Sequence, residues 1–327
     1  MRIAIHDSLG QPEQVIRIEQ TSRPKPKAGE VLLQMVLSPI HNHDLMQISG
    51  TYGIKPELPA RAGTEALGRV IEVGADVKHL KVGQRVAVSG AIGTWADAFV
   101  APAATLLPVP DDISDELAAQ LLVMPSSATV VFDDLGVKSG QWMILSAAAG
   151  AVGKNLALLA ASRQIRVIGL VNQEHQVQEL KELGVDVVEN TEIEGWQSRI
   201  KAALNGEPLL FGLDSVAGKL TGEMLSIMND NATLVVFGAM SNQPLYIDYQ
   251  DVIFKQAIIR GFWGLRKFAA LSDEYRSRMI SEIITLAQKD GLNLPVAAVY
   301  DLGDIAKAIG TKHAPGKVLL RGSDIER

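Results

Sequence analysis

The chain is predicted to be an α/β protein with two domains: a β-barrel-like domain and a doubly wound domain on a six-stranded parallel sheet. Three observations predict this. At 327 residues the chain exceeds what one hydrophobic core usually organises. Its first third holds short β-type runs broken by Pro and Gly. From about residue 122 the pattern changes to strand then helix, repeated.

The β-type runs lie at 3–5, 15–18, 31–37, 69–73, 85–88 and 95–100. Pro24, Pro26 and Gly29, the stretch 50–59 and the stretch 90–93 read as loops between them. In the second region the strands are expected at 142–146, 166–171, 186–188, 209–213, 233–237 and 257–262. Helices at 152–162, 174–183, 196–204 and 219–228 have the length of crossovers in a parallel sheet. The closing segment carries a helix at 274–289 and a last strand at 317–320, and is expected to rejoin the first domain. The expected division is therefore 1–121 with 265–327, and 122–264.

Composition narrows the function. A hydrophobic fraction of 47% with 21% charged residues is that of a globular protein. A net charge of −6, with Lys and Arg scattered, offers no basic field for nucleic acid. No apolar run approaches the about 18–20 residues that span a bilayer, and residues 1–10 lack a signal-peptide core, so no membrane is expected and a cytoplasmic location is. The chain has no cysteine, which removes disulfides, thiolate nucleophiles and every zinc site that needs sulfur.

The segment 141–163 carries the clearest chemistry. An apolar strand, Trp142-Met-Ile-Leu145, runs into Ser146-Ala-Ala-Ala-Gly150-Ala-Val-Gly153 and then a helix with Val152, Leu156, Leu159 and Ala160 on one face. A pyrophosphate needs open backbone N–H groups at a helix N-terminus. Gly150 lets the chain approach the phosphates and Gly153 lets helix and strand pack closely. Ala148 stands where the usual fingerprint has its first glycine. An ordinary glycine-containing turn matches this pattern almost as well in isolation; its place at the head of a βαβαβ unit favours a nicotinamide dinucleotide. The second strand should end on the residue that meets the adenosine ribose. That residue is Asn172, which is neutral and leaves NAD against NADP open.

Several further stretches resemble one family: Ser38-Pro-Ile-His-Asn-His-Asp44, Gly50-Thr-Tyr-Gly53 with Pro56-Glu-Leu-Pro59, Gly63-Thr-Glu-Ala-Leu-Gly68, Gly93-Thr-Trp95, and residues 254–263 with Arg260-Gly-Phe-Trp263. They are similar to the zinc-independent quinone oxidoreductase and 2-enoyl thioester reductase branch of the medium-chain dehydrogenase/reductases, over essentially the whole chain. The resemblance implies a GroES-like catalytic barrel, a Rossmann domain with the nicotinamide in the cleft against it, and a homodimer through the last Rossmann strand. It implies that Gly150, Ala151 and Val152 meet the pyrophosphate. It places Ser127, Phe237, Gly238, Phe262 and Trp263 near the nicotinamide, with Lys317 approaching from the closing segment. Relatives commonly carry Asn at the position of His41, where it bonds the nicotinamide side, and often Asn at that of Met124. On resemblance NADP(H) is favoured.

Zinc-dependent relatives hold their metal with Cys, His and Cys or Glu. Here those cysteines are absent and the segment like their Gly-His-Glu ligand motif reads Gly63-Thr64-Glu65. No metal is expected. The contrary case is His41-Asn42-His43-Asp44, although an i, i+2 histidine pair converges poorly on one ion.

Without a Lewis acid, hydride delivery to a simple ketone is difficult, whereas a C=C conjugated to a carbonyl or thioester accepts hydride at its β carbon and gives a delocalised enolate. That enolate needs hydrogen-bond donors and then a proton. Tyr52 stands where the enoyl thioester reductases carry a tyrosine and is the candidate proton donor; packing of a loop is its other reading. Trp95 and Trp263 are candidate pocket walls as well as candidate packing aromatics. Asp44 and Glu65 are expected to fix loop geometry. The leading expectation is NAD(P)H-dependent reduction of an activated alkene, with quinone reduction by the same site as its rival. A cofactor-binding protein with little catalysis, and an alcohol dehydrogenase with a His-based metal site, are the other classes.

Overall fold

The structure, a computed structural model, describes residues 1–289, 292, 294–311 and 316–323. β1 (Arg2–His6), α1 (Pro12–Val15), β2 (Ile16–Gln20) and β3 (Glu30–Pro39) open the chain. There follow α2 (Asn42–Ser49), β4 (Ala60–Arg61), β5 (Glu65–Val73), β6 (Arg85–Ser89), β7 (Ala98–Pro102), β8 (Leu106–Pro108), α3 (Asp115–Ala118) and α4 (Val123–Leu135). The alternating region holds β9 (Trp142–Leu145), α5 (Ala151–Ser162), β10 (Arg166–Val171), α6 (Glu174–Glu182), β11 (Val187–Asn190) and α7 (Trp196–Leu204). It continues with β12 (Leu209–Asp214), α8 (Lys219–Ile227), β13 (Thr233–Val236), α9 (Tyr249–Ile253) and β14 (Ile258–Gly261). Then come α10 (Gly264–Ala269), α11 (Asp273–Gln288), β15 (Val296–Asp301), α12 (Ile305–Gly310) and β16 (Lys317–Arg321).

By internal contacts the chain divides into Met1–Val123 with Ile284–Arg327, and Met124–Ile283. In the first unit a seven-stranded sheet runs β15-β16-β3-β5-β6-β8, with β7 also paired to β3, beside a small β2-β1-β4 sheet. β3 is long and pairs on both edges, and its register against β5 shifts twice, between Leu32 and Leu33 and between Met35 and Leu37. Such irregularities bend a strand and let a sheet curl around a core. Leu33, Met35, Val70, Val86, Val88 and Trp95 fill that core. The closing segment is tied in electrostatically as well. The Arg2 guanidinium, on β1, donates to Asp97 at 3.0 Å and to Asp301 at 2.5 Å, and β16 pairs antiparallel with the end of β3.

The second unit is a six-stranded, all-parallel sheet in the order β11-β10-β9-β12-β13-β14. The order reverses direction beside β9, which creates a crevice at the carboxyl ends of the central strands. β9 is buried along its whole length and β10 nearly so, which is why their sequences are continuous apolar runs without alternation. Ile144, Ile168, Leu170 and Leu234 meet Trp196, Ile200, Met224 and Leu225 of the helices in one core.

Two expectations change. The later boundary falls between residues 283 and 284 instead of 264 and 265, because α11 is held in the second unit by side chains. Tyr275 donates to Asp133 at 2.5 Å and Arg163 pairs with Glu282 at 3.0 Å. Asp44, expected to fix loop geometry, lies instead in a helix, α2, over 42–49. The Asp44 carboxylate reaches back to accept the His41 N–H at 3.0 Å, and Gly50 closes the helix in the left-handed conformation.

Candidate active site

The dinucleotide turn follows β9, at the centre of the parallel sheet. Ala147 takes a positive φ of 48°, and the Gly150 N–H turns back to the Ala147 carbonyl at 2.9 Å. Gly150 is the N-cap of α5, has no side chain to satisfy the first turn, and no acidic residue follows in that turn. The N–H groups of Ala151, Val152 and Gly153 therefore have no acceptor within the helix. A dianionic pyrophosphate supplies acceptors and meets the positive end of the helix dipole. At Gly153 a β carbon would lie 2.6 Å from the Ala148 Cα and 2.7 Å from its carbonyl carbon, so only glycine permits this approach of helix to turn. These residues fit a dinucleotide.

Beneath the turn lies a buried polar group that sequence reading passed over. Ser146 donates to Asp214 Oδ1 at 2.7 Å, Thr221 donates to Oδ2 at 2.6 Å, and the Val216 N–H donates to Oδ1 at 2.8 Å. The Ser146 hydroxyl also accepts the Ser215 N–H at 2.7 Å. Asp214 thereby joins the carboxyl ends of β9 and β12, beside the phosphate turn. A charged residue ending the apolar run 209–214 was the available signal.

Among the residues assigned to the nicotinamide end, the structure brings together Phe237, Gly238 and Phe262. The Phe237 and Gly238 N–H groups both donate to the Asp214 carbonyl, at 2.7 and 3.3 Å, and the Phe237 and Phe262 rings stack at 5.5 Å. Trp263 is the N-cap of α10, with the Arg266 guanidinium 4.9 Å from its ring centroid. Ser127 is buried in α4. Asn172, the residue assigned to the ribose, is exposed. Glu174 opens α6, with its carboxylate accepting from Asn190 at 3.3 Å.

The first unit gathers His41, His43, Asp44, Tyr52, Thr64, Glu65 and Lys317. Glu65 is fully buried. Its Oε1 accepts the Leu122 and Val123 N–H groups, each at 2.8 Å, and its Oε2 meets His41 Nε2 at 2.7 Å. Burial pushes the Glu65 carboxyl up to about 7, against these backbone donors and Lys317, which favour its anion. Burial also holds His41 well below the ordinary histidine range, helped by the Lys317 charge, so this ring is neutral. Lys317 is itself lowered by burial, while Glu65 and Asp44 support its charge. His43 Nε2 lies 2.7 Å from the Thr64 hydroxyl, which donates to Asp44 Oδ1 at 2.7 Å. Tyr52 follows α2, its N–H donating to the Met46 carbonyl at 3.1 Å, and its ring lies 6.3 Å from that of His43.

Two sequence readings are corrected or bounded here. Trp95 is a core residue and not a pocket wall: it is fully buried, stacked against Gly63, and its indole N–H donates to the Pro39 carbonyl at 3.2 Å. His41 and His43 stack at 4.9 Å with their Nε2 atoms turned to Glu65 and Thr64. Among the described residues no three His, Asp or Glu side chains converge as a metal site.

Residues 27–111 match the family described as alcohol dehydrogenase GroES-like domain, and residues 151–285 the one described as zinc-binding dehydrogenase. The mitochondrial enoyl-[acyl-carrier-protein] reductase of Caenorhabditis elegans is 31% identical over 322 residues, covering 95% of this chain and 91% of its own. A Bacillus thuringiensis protein named provisionally as an NADPH:quinone reductase superposes with a TM-score of 0.91 at 25% identity, over 98% of this chain and 99% of its own. A mycobacterial protein solved with NADPH superposes with a TM-score of 0.86 at 27% identity, over 98% and 99%.

Proposed function

As a member of the medium-chain dehydrogenase/reductase superfamily, to which the chain belongs, it is an NAD(P)H-dependent oxidoreductase, and we propose that its acceptor is an activated C=C, a 2-enoyl thioester or an α,β-unsaturated carbonyl. The observation that carries this reading is Tyr52. A phenol set two residues beyond the Gly50 that closes α2, against His43 and in a chain without cysteine, suits protonation of an enolate better than alcohol oxidation at zinc. The enoyl reductase relatives support the same substrate class.

When bound, the reduced nicotinamide supplies a hydride to the β carbon of the acceptor. The protein's own groups do the rest. The N–H groups of Ala151, Val152 and Gly153 hold the pyrophosphate, and the Asp214, Ser146 and Thr221 network keeps that turn in place. Phe237, Gly238, Phe262 and Trp263 of the second unit form the proposed surface for the nicotinamide, with Ser127 of α4 as its polar neighbour. Trp263 also serves the acyl group. Tyr52 gives its hydroxyl proton to the α carbon, and the enolate electron pair becomes the new C–H bond.

NADP(H) is the proposed dinucleotide, supported by the NADPH in the mycobacterial neighbour. Glu174 at the ribose end favours the second reading, NAD(H), since a carboxylate there repels a 2′-phosphate. Quinone reduction is the second reading of the acceptor, supported by the name given to the Bacillus thuringiensis neighbour. A panel of crotonyl-CoA, simple enones and quinones, run with NADPH and with NADH, tests all of these. Highest kcat/KM for crotonyl-CoA or an enone is expected, and turnover confined to quinones refutes it.

We also propose a homodimer through β14. This strand is one edge of the sheet, with Ile258 53% exposed, and Tyr249, Ile253 and the C-cap Phe254 of the preceding α9 are exposed as well. An apolar strand edge of this kind is usually covered. A second copy of β14 would cover it and continue the sheet.

A further inference from the structure

We propose that His43, held by Thr64 and Asp44, returns a proton to Tyr52 after each turnover. The inference rests on the reading of Tyr52 as proton donor and asks how that phenol is recharged. Both side chains belong to one short structural unit: His43 lies in the first turn of α2, and Tyr52 lies just past the end of that helix. Their ring centroids are 6.3 Å apart at a tilt of 44°, a spacing that one intervening water can bridge.

The hydrogen bonds set the direction of transfer. The Thr64 hydroxyl has one proton, and it is committed to Asp44 Oδ1 at 2.7 Å. Toward His43 the same oxygen therefore accepts, so the His43 nitrogen at 2.7 Å, Nε2, carries a hydrogen. The other nitrogen, Nδ1, has no hydrogen-bond partner among the described residues, and it is the one that gains and loses a proton. Asp44 stands behind this arrangement, 3.6 Å from His43 Nε2, and its second oxygen is fixed by the His41 N–H at 3.0 Å. The other charged and titratable groups around the ring are His41, stacked at 4.9 Å, and Glu65 and Lys317, which act on the same cluster. The His43 side chain is 23% exposed, so water reaches it, while Asp44 is sealed.

The cycle balances in protons and needs no redox partner. The Tyr52 O–H bond breaks as the α carbon takes its proton, leaving a phenolate. The His43 Nδ1–H bond then breaks as the phenolate takes that proton, leaving neutral His43 with its Nε2–H still on Thr64. Solvent protonates Nδ1 again.

The test compares the wild type with His43→Ala, Tyr52→Phe and the double variant, using NADPH and crotonyl-CoA from pH 5.5 to 9. His43→Ala should lower kcat about 10²-fold at pH 8 with the KM for NADPH unchanged, lose the wild-type fall in rate with rising pH, and regain rate on addition of free imidazole. The double variant should be no slower than Tyr52→Phe. If Tyr52→Phe slows turnover while His43→Ala keeps the wild-type rate and pH profile, His43 has no such role. If Tyr52→Phe is itself as fast as the wild type, the Tyr52 reading fails first. A readout independent of turnover is the ¹⁵N spectrum of the His43 imidazole. The neutral Nε2–H tautomer is expected in the wild type and its preference should be lost in Thr64→Val; a neutral Nδ1–H tautomer in the wild type overturns the proposal.

Discussion

Replacing Gly153 by alanine adds one methyl group where α5 meets the turn that precedes it. The new β carbon would lie 2.6 Å from the Ala148 Cα and 2.7 Å from its carbonyl carbon. That is about 1 Å inside the ~3.5 Å at which carbon atoms rest against each other. The obstacle is backbone on both counts, so no side chain can swing away; the helix or the turn must move. Forced insertion of this kind costs about 1–3 kcal/mol, offset by the about 1 kcal/mol that alanine contributes over glycine within a helix. The difference is a net loss of about 0–2 kcal/mol, and with backbone as the obstacle the upper half, about 1–2 kcal/mol, is expected. For a domain of this size that lowers the melting temperature by about 2–8 °C in a calorimetric scan. Displacing the turn also misplaces the N–H groups of Ala151 and Val152, and NADPH affinity by fluorescence titration should fall about tenfold, or ~1.4 kcal/mol. Gly310→Ala is the control, since a β carbon there, in the last position of α12, meets nothing within 4 Å among the described residues. It should be neutral or slightly stabilising. Gly153→Ala melting at or above the wild type, with NADPH bound equally well, would refute the close-approach argument.

Tyr52→Phe should slow enoyl reduction by about 10²- to 10⁴-fold with NADPH binding intact, measured by stopped-flow and by titration; equal turnover removes Tyr52 from the chemistry. Glu65→Gln should flatten part of the dependence of stability on pH. The folded protein holds the Glu65 proton up to about 7 against 4.5 for a free carboxyl, so the stability Glu65 contributes is full below 4.5 and lost as pH rises through 7. The difference between wild type and variant should change by about 3 kcal/mol across that window in denaturant titrations, and a constant difference would contradict it. His41 acts in the opposite sense: held below its free value of 6.5, it contributes stability that is lost as pH falls below that value. Ile258→Lys should convert the proposed dimer to a monomer in light scattering at unchanged fold, because it places a charge on the exposed β14 edge. A wild-type monomer at micromolar concentration would dispose of the dimer.

The parallel sheet was legible because its central strands are buried on both faces, and β9, β10 and β12 therefore stand out as apolar runs such as Trp142 to Leu145. The turn at Gly150 was legible because glycine there has a mechanical reason. Helix α2 was not: Asn42, His43 and Asp44 look like loop residues, and their helical role rests on Asp44 reaching back to the His41 N–H. Helix α4 was hidden by Pro125, which a first helical turn tolerates, and by its β-branched Thr129, Val130 and Val131. Within the candidate site, the sequence offers single residues at single positions as candidates, as with Tyr52. Chemistry made by pairs far apart in the chain was not. Glu65 meeting His41, His43 meeting Thr64, and Ser146 meeting Asp214 are separated by 24, 21 and 68 positions. Trp95 illustrates the converse, since the motif around Gly93 suggested a pocket wall while the fold buries the indole against Gly63.

The most direct measurement follows a labelled hydride. Crotonyl-CoA is reduced in ordinary water with NADPH carrying deuterium on the transferred face of C4, established by using each C4 epimer in turn, and the product is read by mass spectrometry and NMR. The account predicts butyryl-CoA with one deuterium on its β carbon and a solvent proton on its α carbon. Deuterium on the α carbon, or no reduction of crotonyl-CoA or of any enone by either dinucleotide, would contradict it.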